Sequence, residues 1–359
     1  MVDLDDLAIY PRLDPLDMLQ RIKELPWQCQ EAWKDVQGLA LPPEYSRVAN
    51  VVILGMGGSA IGGDLARSLT ILESRAPIML CRDYDVPGFV DEHTLVIASS
   101  YSGDTEETLS AFQQARERKA KLLALTTGGK LRELAENTRI PLYLFSYKSQ
   151  PRAALGHSLV PLIGIFQKVG FVSDKSADLL ESIKVMGELQ SEISEGVPLE
   201  KNLAKQLASA FYNHLPVIYG SGILSEVARR WRGQVSENAK AWAFFELLPE
   251  LNHNAIAGYE FPPQLGKEIV VVLLTSSHDH PRTKVRFDVT EELLEGSGVR
   301  SVRVEARGLS PLAQMFYTVH LGDFVSYYLA LLYRADPTSI PAIEYLKGEL
   351  AKAEMPGSG

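Results

Sequence analysis

Apolar residues near the start of the chain recur at the spacing of an α-helix. Residues at such a spacing fall on one face, which is typical of a helix that packs against a core. These positions are Met18, Ile22, Leu25, Trp33 and Val36. Pro42 and Pro43 predict the end of the segment, because proline cannot continue a helix. We therefore expect residues 1–45 to form a helical lead-in.

From residue 46 to residue 170, short apolar runs alternate with amphipathic stretches such as TEETLSAFQQARERK. Each run is bounded by polar or glycine-containing turns, which is the pattern of strands. Strands that alternate with helices predict a doubly wound, mainly parallel α/β sheet covered on both faces. The predicted strands are 48–54, 77–81, 94–99, 121–126 and 140–145.

The second half of the chain repeats this order. Residues 215–237 again suggest a strand, a Gly-x-Gly turn and a helix, and the runs at 268–277 and 300–308 match two strands of the first half. An internal repeat at an offset of roughly 165 to 180 residues predicts two domains of one fold. The predicted segments are a first domain at 46–170, a connector at 171–205, a second domain at 206–335, and a C-terminal helix and tail at 336–359.

Charge and cysteine content narrow the possible functions. The net charge of −9 disfavours binding to nucleic acid or an anionic membrane, since both require a basic surface. The two cysteines, Cys29 and Cys81, are too few for a disulfide framework and lack the paired spacing of a zinc site. The N-terminus is acidic where a signal peptide would be basic and then apolar, so we expect a cytoplasmic protein.

The glycine-rich turn at 55–59 is the first candidate phosphate site. Its backbone amides can approach a ligand closely, and the turn ends at a helix N-terminus, whose dipole favours anions. The same turn also fits the dinucleotide fingerprint through Gly55, Gly57 and Ala60, with Asp83 as a possible ribose partner. A dehydrogenase is therefore an alternative, although it leaves the domain repeat unexplained.

The hydroxyl-rich loop at 99–108 is the second candidate phosphate site. Ser100, Ser102 and Thr105 lie between a predicted strand and a predicted helix. Hydroxyls beside free backbone amides suit a phosphate monoester without lysine or arginine. A simple capping box at the helix start is the alternative interpretation. Three hydroxyls within six residues favour phosphate binding.

These two loops, GMGGSAIGGD and SYSGDTEET, resemble the sugar isomerase (SIS) domain. The paired domains are similar to the bifunctional phosphoglucose/phosphomannose isomerase family over about residues 45 to 350. The similarity extends to PRAALG, GQVSENAK, ELNHNAI and DPTSIPAIEYLKGEL, which lie in both halves of the chain. The resemblance implies an isomerase that interconverts glucose 6-phosphate and mannose 6-phosphate with fructose 6-phosphate, without a cofactor or a metal.

The resemblance also implies roles for individual residues. Glu237 would act as the base, and Arg152 would stabilise the enediolate. His253 and Lys347 would open the sugar ring, with the histidine typically supplied by the other subunit of a dimer. Use of both sugars calls for a hydroxyl near C2, for which Thr338 is our candidate. The implied phosphate-binding residues are Ser100, Ser102, Thr105, Ser59, Gly57 and Gly58.

One residue departs from the family pattern. Asp104 stands where the family loop usually has asparagine, and a carboxylate pointing into the loop would repel phosphate. We expect it to face a helix N-terminus or solvent, where a negative charge is stabilised.

Simpler interpretations of the same residues stay open at this stage. Glu237 and Lys347 are also typical of the solvated face of a helix, His253 of a surface loop, and Arg152 of a structural ion pair. A sugar-phosphate sensor without catalysis is the alternative function from another class. The triplet His278-Asp279-His280 lacks an evident third metal ligand, so we predict no metal site there. The aromatic cluster of Trp231, Trp242, Phe244 and Phe245 fits either a core or an interface.

Overall fold

The computed structural model describes residues 2–350 and 352. Its strands form two parallel sheets, one with five strands and one with four. The predicted fold class, two parallel-sheet α/β domains preceded by helices, is confirmed. None of the helices in the described residues has both the length and the apolar composition that crossing a membrane requires.

The first sheet has the strand order β2-β1-β3-β4-β5. Every residue of its central strand β3 is buried, as expected for a parallel strand covered on both faces. All five strands were predicted from the sequence, with small differences at their ends. The strands are β1 (Asn50–Leu54), β2 (Ile78–Cys81), β3 (Thr94–Ser99), β4 (Lys121–Thr126) and β5 (Leu142–Leu144). The helices are α4 (Gly57–Thr70), α5 (Glu106–Glu117), α6 (Gly129–Thr138) and α7 (Leu155–Lys168).

The second sheet has the strand order β7-β6-β8-β9. Its edge strand β7 was not predicted, because it is short and half exposed and carries no long apolar run. The strands are β6 (Leu215–Gly220), β7 (Phe244–Leu247), β8 (Ile269–Thr275) and β9 (Arg300–Glu305). The helices are α9 (Leu203–Phe211), α10 (Ser225–Ala239), α11 (Pro281–Gly296) and α12 (Pro311–Leu332).

Helices outside the two sheets cover one side of the core. The lead-in is helical as predicted, but its last helix ends at Gly38, before the two prolines, which instead open a 3-10 turn. The predicted connector contains a long helix whose buried face packs on α12. The predicted domain boundaries themselves stay predictions. These helices are α1 (Ile9–Leu13), α2 (Met18–Lys23), α3 (Leu25–Gln37), α8 (Ser176–Ile193) and α13 (Pro341–Leu350).

Helix α12 forms the centre of the second domain. Nearly all of its side chains are buried, which is typical of a helix surrounded by other elements. Its Gly322 lies directly under the indole of Trp231 on α10, whose Nε1 donates to the carbonyl of Thr318. Trp231 is therefore a core residue, whereas Trp242 is 77% exposed. The aromatic cluster singled out in the sequence thus divides between core and surface.

We expect Gly322→Ala to destabilise the protein. A Cβ at this position would lie 2.2 Å from Trp231 Nε1, and the buried indole cannot move without disturbing the contact between α10 and α12. The expected loss of unfolding free energy in urea is about 1–3 kcal/mol. Gly187→Ala, in the exposed part of α8 with open space around it, is the control and should stabilise by roughly 0.5–1 kcal/mol. Equal effects of the two substitutions would contradict the packing argument.

Candidate active site

A cleft of about 290 Å³ opens between the N-terminus of α4 in the first domain and α10 in the second. At Gly58 the start of α4 lies directly against the backbone of the segment that carries Arg152. A Cβ there would lie 2.7 Å from the backbone nitrogen of Arg152. The cleft is lined by Gly57, Gly58, Ile61, Arg82, Arg152, Arg229, Arg230, Arg232, Gly233, Gln234, Glu237 and Phe245.

Arg152 and Glu237 face each other in this cleft. Arg152 Nη1 lies 3.5 Å from a Glu237 carboxylate oxygen, and the arginine side chain is 3% exposed. Its Nε donates to Asn238 Oδ1 at 2.7 Å, and its Nη2 donates to the carbonyls of Pro337 and Thr338 at 2.7 and 2.8 Å. The guanidinium is therefore fixed on three sides, with Nη1 directed towards Glu237. Burial lowers the Arg152 pKa, while the Glu237 charge opposes that shift.

The C-terminal end of α10 is held by Lys240. This residue has a φ of 55°, in the left-handed region that ends helices. Its Nζ donates to the carbonyls of Glu237 and Asn238 at 3.0 and 3.1 Å, and also to the carbonyl of Asp336. Burial lowers the Lys240 pKa to about 8. The contacts fix the last turn of α10, which carries Glu237, against the segment that contains Thr338.

Thr338 has a buried hydroxyl close to this arrangement. Its side chain is 3% exposed, and Oγ1 has no hydrogen-bond partner among the described residues. Buried hydroxyls are normally paired, so an unpaired one beside the Arg152 contact is available to a ligand or a water molecule. The structure brings Thr338, Arg152 and Glu237 together from three distant parts of the sequence.

The hydroxyl-rich loop is ordered by its own hydrogen bonds. The hydroxyls of Ser100 and Thr105 are 3.0 Å apart, and Ser100 Oγ accepts from the amide of Gly103 at 3.1 Å. Ser102 Oγ accepts from the Asp104 amide. Thr105 precedes α5, yet its side chain makes no capping hydrogen bond. The capping interpretation is therefore wrong for Thr105, and the first-turn amides of α5 stay free for an anion.

Asp104 points away from this loop. Its carboxylate accepts a hydrogen bond from the backbone amide of Lys130 at 3.1 Å, in the first turn of α6. The positive end of that helix stabilises the charge, as the sequence analysis expected of a helix N-terminus. The two candidate loops are also joined, because Ser59 Oγ accepts from the Tyr101 amide at 3.1 Å.

Two predicted site residues lie outside the cleft of their own chain. His253 is exposed in a short 3-10 turn, Glu250–His253, and Lys347 is exposed on α13. Every described side chain of α13 is at least partly free of the rest of the chain, and none is buried. A single chain therefore brings together Glu237, Arg152, Thr338, Gly57 and Gly58 but not His253 or Lys347.

Comparison with known proteins identifies the two halves of the chain. Residues 47–150 match the SIS domain, and residues 200–350 match the bacterial phospho-glucose isomerase C-terminal SIS domain. The bifunctional phosphoglucose/phosphomannose isomerase of Caldicellulosiruptor bescii is 44% identical over 93% of this chain and 99% of its own. The protein of that name in Aquifex aeolicus is 37% identical over 90% of this chain and 99% of its own.

The chain belongs to the bifunctional phosphoglucose/phosphomannose isomerase family. The resemblance inferred from the two loops is thus confirmed. Among solved structures, a hypothetical protein of Thermus thermophilus has the same fold, with a TM-score of 0.72 and 18% identity over 96% of this chain and 93% of its own.

The sequence analysis named Arg152 but missed the other four arginines that line the cleft of this isomerase-family protein. Arg229 and Arg232 lie on α10, and Arg82 follows β2. Glu226 on the same helix is 3% exposed and pairs with Arg229 at 2.7 Å and with Arg67 of α4 at 2.6 Å. The sequence RRWRG contains Arg229, Arg230 and Arg232, but the direction of each side chain depends on how α10 packs between the domains.

The triplet at 278–280 has structural roles. Asp279 accepts hydrogen bonds from the Ser221 hydroxyl at 2.5 Å and from the Ser276 amide at 2.8 Å. His280 caps α11 by accepting from the Arg282 amide.

A buried histidine lies behind the hydroxyl-rich loop. The ring of His157 stacks on Phe145 at 5.0 Å and lies 5.3 Å from the Tyr147 ring. Its side chain borders a small cavity together with Ser59 and Ser99, and both ring nitrogens lack a partner within the described part of the chain. Burial lowers the His157 pKa to about 4.

We expect His157→Phe to reduce the pH dependence of stability between pH 4 and 6.5. In that range the unfolded histidine binds a proton that the folded one does not, so the wild-type unfolding free energy falls as the pH decreases. The contribution of His157 is about 3 kcal/mol across the range. Urea unfolding at several pH values measures it. The control is His93→Gln, at an exposed position, and an unchanged slope in His157→Phe would contradict the assignment.

Proposed function

We propose that this protein interconverts glucose 6-phosphate and mannose 6-phosphate with fructose 6-phosphate. The pairing of Glu237 with the buried Arg152 carries the proposal, because it sets a carboxylate base beside a fixed positive charge. Relatives that span nearly the whole chain bear the name of this activity, which supports the choice of substrates.

The phosphate would be anchored by the first domain. The hydroxyls of Ser100, Ser102 and Thr105 and the free first-turn amides of α5 offer donors without a charged side chain. Ser59 joins this loop to the amides of Gly57 and Gly58, which line the cleft. The anchored sugar would extend from the loop towards Glu237.

Glu237 would then move one proton between two neighbouring carbons. Its carboxylate removes the proton from C2 of the open-chain aldose, and the C–H electrons form an enediolate. Arg152 stabilises the negative oxygen at C1. Return of the proton to C1, with transfer of the C2 hydroxyl proton to the C1 oxygen, gives the ketose. The substrate provides both the atoms and the electrons, so the step balances without an oxidant. Return of the proton to either face at C2 relates glucose to mannose, and Thr338 is the proposed hydroxyl near that carbon.

Ring opening requires a second acid and base, for which we propose His253 and Lys347. Both residues are exposed on the single chain, so a homodimer with a shared active site is part of the proposal. The partner's copy of the histidine would enter the cleft of this chain. The exposed apolar residues of α13 support such an association, because Ile343, Leu346 and Leu350 are 40%, 56% and 49% exposed on their own chain.

A cytoplasmic location completes the proposal. Cys29 and Cys81 are both buried and unpaired, as is usual for proteins of a reducing compartment.

The central test is conversion of fructose 6-phosphate by purified protein. We expect the wild type to form both glucose 6-phosphate and mannose 6-phosphate, and Glu237→Gln to lose at least roughly a hundredfold in kcat, since the amide cannot accept the proton. Glu44→Gln, an exposed carboxylate in the lead-in, is the matched control. If fructose 6-phosphate raised the melting temperature without turnover, the protein would be a sensor and the catalytic proposal would fail.

Subunit mixing tests the shared site. Glu237→Gln and His253→Asn homodimers should each be nearly inactive, because each lacks one required group. After unfolding and refolding together, half of the dimers are mixed, and each mixed dimer has one intact site. We expect recovery of about a quarter of the wild-type activity. Without any recovery, while each variant refolds as a dimer by light scattering, the histidine and glutamate of one site would have to come from the same chain.

A further inference from the structure

The cleft is strongly positive within a negative protein. The chain carries a net charge of −9, yet five arginines and a single carboxylate, Glu237, line the cleft. A cavity lined by one sign of charge concentrates its field towards the opening and attracts ligands of the opposite sign.

Four of these arginines are paired with carboxylates. Arg152 pairs with Glu237 and Arg82 with Asp64. The other two pairs, at 2.7 and 2.8 Å, are Arg229 with Glu226 and Arg230 with Asp323. The fields of two opposite charges in contact nearly cancel at a distance. These four arginines therefore stabilise the wall of the cleft but contribute little to the attraction of a ligand from solution.

Arg232 is the exception. It is exposed at the cleft, and within residues 2–350 and 352 its side chain has neither an ion pair nor a hydrogen bond. Its neighbour Arg229 is fixed, because its guanidinium lies 4.8 Å from the centre of the Phe245 ring and bonds to Glu226. Glu226 is also shared with Arg67. Five arginines thus share four carboxylates, and Arg232 adds a further positive charge, which leaves the wall with an excess of positive charge.

We propose that Arg232 captures the phosphate group of the incoming substrate and delivers it to the hydroxyl-rich loop. This inference rests on the proposed function, in which the substrate is a phosphate monoester with a charge of about −1.5 to −2 at neutral pH. The loop itself binds through neutral hydroxyls and amides, which act only at contact distance. Long-range attraction towards a protein of net charge −9 therefore has to come from an uncompensated cation at the cleft.

The test compares Arg232→Gln with Arg300→Gln. Arg300 is also exposed without an ion pair among the described residues, but it lies on β9, the strand at the opposite edge of the second sheet from β7. We expect Arg232→Gln to lower kcat/KM for fructose 6-phosphate by roughly three- to tenfold at low ionic strength, with kcat unchanged. The difference should disappear near 0.5 M salt, where the screening length is only about 4 Å. Arg232→Lys should retain most of the wild-type value, because it keeps the charge.

A second readout does not require turnover. Inorganic phosphate should raise the melting temperature of the wild type and of Arg300→Gln more than that of Arg232→Gln at low salt. An inactive wild type would end the isomerase proposal while leaving this comparison valid. The capture role is wrong if Arg232→Gln matches Arg300→Gln in both measurements. It is also wrong if Arg232→Lys loses as much as Arg232→Gln, or if the loss persists at high salt.

Discussion

The buried guanidinium of Arg152 holds together the segments that form the cleft. Arg152 belongs to the first domain, yet its donors reach Asn238 on α10 and the carbonyls of Pro337 and Thr338. A buried arginine is stable only when its hydrogen bonds and its charge are satisfied, so these segments must stay in place around it. Glu237 provides the compensating charge. The arrangement that keeps Arg152 in the folded protein also holds its guanidinium 3.5 Å from the Glu237 carboxylate.

Helix α10 joins this arrangement to the rest of the fold. One side of the helix is anchored in the core, where Trp231 packs on Gly322 and Arg230 bonds both carboxylate oxygens of Asp323. The other side faces the first domain, where Glu226 pairs with Arg67. The last turn of the same helix carries Glu237. The packing of α10 in the core, its contact with the first domain and the position of the proposed base are therefore coupled. A change in any one of them affects the cleft.

Binding and attraction of phosphate are assigned to different parts of the molecule. The hydroxyl-rich loop is ordered by its own hydrogen bonds and by Ser59, and Asp104 is turned towards α6. The loop therefore offers preorganised donors with no net charge. Five arginines line the cleft, and four of them are paired with carboxylates. The proposed anchoring loop is therefore neutral, whereas the cleft carries the positive charge.

The sequence by itself determined the local elements and the types of residue available for chemistry. Apolar runs and helical periodicity depend on neighbouring residues, so eight of the nine strands in the described residues, and helices such as α5, were predicted from the chain. The two loops also carried the family resemblance. Strand β7 was not predicted, because an edge strand of four residues has little apolar pattern.

Only the tertiary structure decided which of these residues meet. The hydrogen-bond acceptors of the Arg152 side chain lie 86 to 186 residues away, and no local pattern encodes such distances. The same holds for the arginines of RRWRG, since the packing of α10 decides that Arg230 is buried against Asp323 while Arg232 is exposed at the cleft. His253 and Lys347 are exposed on the single chain, so their proposed roles require a second copy of the protein.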